Sequence, residues 1–239
     1  MERWQVLLKG ESWDLEDLYK NQQSCSWKIF KDDNKYFLES IKFQENDDAD
    51  EIRKKSRDLL ELINGSARLR ISGFRPVDID GNQFAKIDEN GKRNPIVDIE
   101  LKTMETRVKT DIIKFGEDQI GTIKENECGL VKTISLAEMN KNVEEALRLF
   151  STRNPSWIDL YKIYEIIKHD SSGVLILGNY KDDIKKFKGT AQHPKVIGSE
   201  ARHARPKGGD KIPTNTMTKK EADSFISIIL IKWIDSLLF

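Results

Sequence analysis

The hydrophobic period of this chain changes near residue 133, and that change limits the available folds more than any motif does. Up to that point apolar and polar residues mostly alternate, the pattern of a strand with one buried face. Beyond it apolar residues recur every three or four positions, the pattern of a helix. "RWQVLLKG" opens the first part. "SWKIFKDDNKYFLESIKF" reads as a hairpin, two alternating runs joined by a polar turn at Asp32–Asn34. One helix is expected over roughly Asp50 to Ile63, stopped by Asn64–Gly65. Asp80–Gly81 and Asn90–Gly91 mark turns between "RLRISGFRPVDI", "NQFAKI" and "NPIVDIELKTMETRVKT", and "DIIKFGEDQIGTIKENECGLVKTI" adds one or two short strands. Trp4, Trp13 and Trp27 crowd this end and are read as core or hairpin-packing residues.

In the second part "SLAE" (Ser135–Glu138) has the form of a capping box, followed by a stripe of Leu136, Met139, Val143, Leu147 and Phe150. "NPSW" offers Asn154 as N-cap and Pro155 at the first helical position, ahead of Trp157, Leu160, Tyr161, Tyr164 and Ile167 on one face. His169 closes that helix as a cation on its C-terminal dipole. "TKKE" (Thr218–Glu221) is a second capping box, opening a helix apolar around most of its girth. The expected class is therefore α+β, with a β-rich N-terminal part built from hairpins (1–133, with one helix) and a C-terminal α-helical bundle (134–239) that carries a long basic loop over 188–217.

Composition narrows the function classes. The chain of 239 residues has 40 basic and 40 acidic side chains and 38% hydrophobic residues, which describes a charged globular protein. Cys25 and Cys128 lie far apart with no Cys/His cluster, so neither a structural zinc nor a disulfide framework is expected. The opening residues lack an apolar leader, and the C-terminal "SFISIILIKWIDSLLF" is too short to span a bilayer and is interrupted by Lys232 and Asp235. The expectation is a cytoplasmic protein without a membrane span. No GxGxxG, GxxxxGK[ST] or GxSxG occurs, so P-loop nucleotide hydrolysis is excluded, and no cofactor is expected.

The segment "AQHPKVIGSEARHARPKGGDKIPTNTMT" (191–218) stands apart. It lacks a hydrophobic period and holds two of the three histidines. Residues 185–211 carry Lys185, Lys186, Lys188, Lys195, Arg202, Arg205, Lys207 and Lys211 against Glu200 and Asp210. Eight minus two leaves this stretch at plus six and the rest of the neutral chain at minus six. Glycine lets backbone amides approach a phosphate, and arginine offers it a planar fork, so RNA or another phosphate-bearing ligand is the expected partner. In a metal-independent ribonuclease, His193 and His203 would move protons to and from a phosphodiester while Arg202 and Arg205 stabilise charge on its oxygens. The lysines would bind the backbone. The plainer alternative is a solvated loop that contacts a protein partner.

Another constellation points elsewhere. Asp98, Glu100 and Lys102 in "DIELK" share one strand face, which resembles the metal site of PD-(D/E)xK nucleases, with Asp78 or Asp80 supplying the further carboxylate for magnesium.

"NPSWIDLYKIYEIIK", "EARHARP" and "MTKKEADSFISIILIKWI" resemble the tails of a group of bacterial proteins that share a similar helix, an Arg-His loop and a final apolar helix, over roughly residues 140–239. This region is also similar to HEPN domains, helical bundles that often act as metal-independent RNases in toxin and phage-defence settings. HEPN nucleases carry an arginine followed, after four to six residues, by a histidine. Here Arg202 and His203 are adjacent, so that motif does not transfer. The resemblance implies a helical bundle in a bacterial, defence-related protein. The expected function is nucleic-acid-directed, as a metal-independent ribonuclease acting through the Arg/His loop. The alternatives are a non-enzymatic sensor or adaptor subunit and a magnesium-dependent nuclease.

Overall fold

A computed structural model describes residues 3–22, 26–44, 47–88, 93–97, 129–202 and 212–238. The α+β class holds: an antiparallel sheet occupies the N-terminal part and helices follow. The sheet has the order β2-β3-β1-β4-β5, with β1 Arg3–Lys9, β2 Trp27–Asp32, β3 Lys35–Ser40, β4 Asp78–Ile87 and β5 Arg93–Val97. The expected hairpin of β2 and β3 is present, its tight turn placing Asp33 at φ 51°. Asparagine and aspartate tolerate this left-handed region better than most residues.

Two helices, α1 (Ser12–Lys20) and α2 (Ala49–Arg70), cover one face of the sheet. Leu15 and Leu18 of α1 join Trp4, Val6, Leu8, Ile29, Leu38 and Phe84 in a core completed by Ile52, Leu59, Leu60 and Ile63 of α2. The sequence reading missed α1, a short helix with few apolar positions. Trp13, at its start, is 77% exposed, whereas Trp4 and Trp27 are buried as expected.

The helical part comprises α3 (Gly129–Met139), α4 (Lys141–Phe150), α5 (Trp157–His169), α6 (Ser171–Leu177), α7 (Lys181–Ala191), α8 (Pro194–Ile197) and α9 (Lys219–Leu237). Phe225, Ile226, Ile229, Leu230, Trp233 and Ile234 of α9 are all buried, so this helix is central as its composition demands. The expected boundary at 133/134 falls inside α3. This helix gives Leu130 and Ile134 to the sheet-side core and Ala137 to the helical core. Helix α2 likewise faces both, through Leu62 and Leu69 on the helical side.

Several local expectations are corrected. Helix α2 does not stop at Asn64–Gly65 but runs on to Arg70, so "RLR" is helical rather than strand. The Asn64 side chain is spent on the backbone of Val77, accepting from its N–H at 3.0 Å and donating to its carbonyl at 2.8 Å. Gly65 is the point where α4 crosses, and any Cβ there would collide with the Leu147 carbonyl. Asp80–Gly81 is no turn either. It lies within β4, where the register moves from Val6↔Phe84 to Leu8↔Ile79 and the long strand absorbs the excess as a bulge. The Asn90–Gly91 turn lies outside the described residues, although the flanking β4 and β5 pair antiparallel. "SLAE" does not start a helix, because buried Leu130 and Ile134 extend α3 upstream; Asn140 caps α4 instead, and Met139 of the expected stripe is 80% exposed. "GLVKTI" is therefore helical, and residues 111–128 of the expected strands lie outside the described residues. Ser156, not Asn154, caps α5 through a reciprocal pair with Asp159. The Thr218–Glu221 capping box forms as expected. Among the described residues no helix is long and apolar enough to cross a membrane.

Candidate nucleic-acid interface

The basic segment is more ordered than its composition suggests. Helix α7 runs to Ala191 because Phe187, Thr190 and Ala191 form a buried face. Helix α8 and a 3₁₀ turn at Gly198–Glu200 follow, so the expected loop over 188–217 is helical for much of its first third. His203, Arg205, Lys207 and Lys211 lie outside the described residues, as do Asp98, Glu100 and Lys102; Asp78 and Asp80 lie on β4.

Contacts from α5, α7 and α9 fasten the segment at both ends. The Arg202 N–H donates to the Ala191 carbonyl at 3.0 Å, and the Met217 N–H donates to the Thr190 hydroxyl at 2.9 Å. The chain thus leaves and returns at neighbouring residues at the end of α7. Glu200 accepts from the Trp157 N–H at 2.9 Å, which places a carboxylate at the positive N-terminus of α5. Lys219 donates to the Pro155 carbonyl and lies over the Trp157 ring. Burial pushes its ammonium below the usual lysine value, against the opposing pull of Glu200 and Asp223.

Arg202 and His193, two of the expected catalytic residues, have structural partners. The Arg202 guanidinium lies 4.5 Å from the centre of the Tyr161 ring, donates to the Tyr161 hydroxyl at 2.9 Å and pairs with Glu165 at 2.9 Å. Gln192 donates to the same hydroxyl at 2.6 Å. Both terminal nitrogens of the arginine's fork are therefore engaged with α5. His193 is only 4% exposed. Its Nδ1 accepts from the Lys195 N–H at 3.3 Å as the N-cap of α8. With Nδ1 acting as acceptor, the ring hydrogen is on Nε2, which is buried without a hydrogen-bond partner among the described residues. The structure thus buries His193 among the described residues, where it caps α8. His169 ends α5 exposed, in the position expected of a dipole-compensating cation.

The lysines are arranged differently. Lys181, Lys185 and Lys188 follow one another at four and three residues along α7, which aligns them on one side of the helix. Phe187 and Thr190 face away from this stripe, Ala191 flanks it beside Lys188, and Asp182 and Asp183 fall off it. Lys181 and Lys185 are exposed and Lys188 is half-buried. Lys195 is exposed on α8, and Lys186, off the stripe, is half-buried. Sequence reasoning missed Lys181, because the basic stretch was counted as net charge from Lys185 onward rather than measured along a helix. Among the described residues no group of three His, Cys, Asp or Glu side chains is placed to hold a metal ion.

No protein-family model, curated protein or solved structure matches the chain.

Proposed function

We propose that the chain binds nucleic acid along the lysine face of α7 and the basic segment that follows it. The observation that carries this is the alignment of Lys181, Lys185 and Lys188, facing away from Phe187 and Thr190 of the same helix. A rigid row of ammonium groups suits a phosphate backbone, which rewards neutralised charge more than it rewards any particular base. The segregation of six net positive charges into residues 185–211 favours the same partner. Binding is supported better than cleavage through His193. That imidazole would have to abandon its cap and its burial before it could accept a proton from a ribose hydroxyl.

The test is fluorescence anisotropy with labelled single-stranded RNA and DNA over a range of salt, run beside a cleavage assay with and without EDTA. Affinity is expected to fall steeply as salt rises. Lys181→Ala/Lys185→Ala/Lys188→Ala is expected to reduce the slope of log K against log salt by about 2, at roughly 0.7 per lost contact on a single strand. No binding at low salt, or a triple variant that binds with unchanged slope, overturns the proposal. EDTA-resistant cleavage that survives His193→Ala would leave binding in place and move the chemistry to other residues.

A further inference from the structure

Strand β2 is an edge of the sheet, with β3 on one side and no strand on the other among the described residues. The two-residue turn at Asp33–Asn34 fixes which of its backbone groups face outward. In a hairpin of this length the residues flanking the turn, Asp32 and Lys35, form a hydrogen-bonded pair, and such pairs recur at every second position. Phe30 and Lys28 therefore bond to Phe37 and Glu39 of β3. Ser26, next in the series, accepts from the Ile41 N–H at 3.0 Å, as this phase requires. The N–H and C=O groups of Trp27, Ile29 and Lys31 point the other way, along the edge. Outward groups of this kind are a template for a further strand.

The middle residue of the three is occupied. The Gln22 side chain accepts from the Ile29 N–H and donates to the Ile29 carbonyl. A carboxamide presents an acceptor oxygen and an N–H donor on one planar group, the same pair that a neighbouring strand offers. The end of α1 holds it there. Asn21, the C-cap, bonds the Asp17 carbonyl through its backbone N–H at 3.0 Å and through its side-chain amide at 2.8 Å, and Gln22 follows directly.

We infer that Gln22 is a plug that keeps β2 from pairing with β2 of a second copy. The strand is complementary to itself. Two antiparallel copies related by a two-fold axis at Phe30 set Ile29 opposite Lys31 as hydrogen-bonded pairs, which uses the outward groups of both. On the sheet face away from α1 and α2, the same register sets Lys28 opposite Asp32 of the second copy, twice, with the two Phe30 rings between them. Lys28 and Asp32 are both exposed; Arg93 takes Oδ2 of Asp32, and Oδ1 is the oxygen that meets Lys28. The registers on either side, which set Lys28 or Asp32 opposite Phe30, lose both ion pairs. The contact is isologous and closes at two copies. Ile29 cannot bond Gln22 and a second copy at once, so the two compete for one pair of backbone groups.

Sedimentation equilibrium of the full chain tests this. The unmodified chain is expected to run as a monomer. Gln22→Ala is expected to dimerise, with a dissociation constant tighter by roughly tenfold or more, as removal of two competing hydrogen bonds of ordinary net strength brings. Gln22→Ala/Lys31→Pro is expected to return to monomer, because proline removes an outward N–H and spares the ladder to β3. Gln22→Ala/Lys28→Asp sets like charges opposite each other and is expected to weaken the dimer. A folded Gln22→Ala that stays monomeric at every concentration overturns the inference. So does association unchanged in either double variant, or an unmodified chain that dimerises as strongly as Gln22→Ala. Hydrogen exchange of the unmodified chain needs no substitution and so decides the matter even where Gln22→Ala fails to fold. The Ile29 amide is expected to exchange roughly tenfold or more slowly than the outward Lys31 amide. Equal rates for the two overturn the plug.

Discussion

Arg93 and Asp32 sit on opposite edge strands of the sheet, yet their side chains pair at 2.5 Å. Four inter-strand steps would separate flat edges by about 19 Å, beyond the reach of an arginine and an aspartate. The sheet therefore coils until its edges approach. On the way Arg93 crosses the Phe37 ring at 3.9 Å and donates to Gln5 at 2.9 Å. Gln5 in turn donates to Glu39, so a polar chain runs along the sheet face opposite the α1 and α2 core. The exposed half of this network contributes little, and the buried half more. Asp32→Asn is expected to cost under about 0.5 kcal/mol, as exposed ion pairs do. Arg93→Met, which strips the donor from buried Gln5, is expected to cost about 1–2 kcal/mol. Urea unfolding of the two variants checks the order.

The Asn64–Gly65 pair predicts the opposite of its usual behaviour. In a turn, Gly65→Ala would be mild or stabilising. Here a methyl group meets the Leu147 carbonyl, which belongs to the backbone of α4 and cannot swing aside. A loss of about 2–3 kcal/mol is expected, in the range of overpacked cores. Asn64→Ala leaves the Val77 N–H and carbonyl unsatisfied and is expected to cost about 2–3 kcal/mol. Midpoints of urea unfolding measure both.

These two residues also show where sequence reasoning reached its limit. Thr218–Glu221 was legible because a capping box is complete within four residues. The β2–β3 hairpin was legible because its alternation and its turn lie side by side. Asn64–Gly65 looked like a stop because the α4 backbone and Val77, which redirect it, are distant in sequence. Asp80–Gly81 misled for a related reason: whether a flexible pair turns or bulges depends on the partner strand, here β1. At the candidate interface the charge of the basic segment was plain, but its order was hidden. Phe187, Thr190 and Ala191 are too few to announce a helix, and the anchors at Tyr161, Glu165 and Trp157 lie some thirty to forty residues upstream.

Glu16 makes acid stability testable. Its carboxylate accepts from Lys31 and from the Tyr36 hydroxyl, both at 2.6 Å. The Lys31 bond is the largest cause, with Tyr36 next, of a pKa held down from 4.5 to about 2. The folded chain thus binds this proton more weakly than the unfolded chain. Ionised Glu16 contributes stability that is fully present above the unfolded value near 4.5 and is lost as pH falls toward about 2. Glu16→Gln is expected to unfold at lower urea than the unmodified chain at neutral pH, with the gap closing as pH approaches 2. A gap independent of pH would show that the carboxylate's charge plays no part.

Glu165 tempers the basic surface, and its removal is expected to strengthen binding. It engages one edge of Arg202 while Tyr161 engages another. Glu165→Gln weakens that hold and subtracts a negative charge beside the segment. Affinity for labelled RNA at low salt is expected to rise several-fold, and the salt slope to steepen by up to about 0.7, equivalent to one added phosphate contact. An unchanged slope would place Arg202 outside the bound path.

His193 separates a structural histidine from a catalytic one. Its imidazole caps α8 from a buried position at the root of the basic segment. Asparagine is a strong N-cap and cannot exchange protons near neutral pH. His193→Ala is therefore expected to cost about 1–2 kcal/mol, and His193→Asn to recover much of that loss. If the histidine acts only as a cap, RNA binding and any cleavage should follow stability, reduced in His193→Ala and restored in His193→Asn. A catalytic histidine gives a different pattern. Asparagine would then restore the unfolding midpoint but not turnover, because the ring that exchanges the proton would still be missing. Thermal unfolding and a cleavage time course on the same three proteins distinguish the two roles, and the buried Nε2 with no described partner predicts the first.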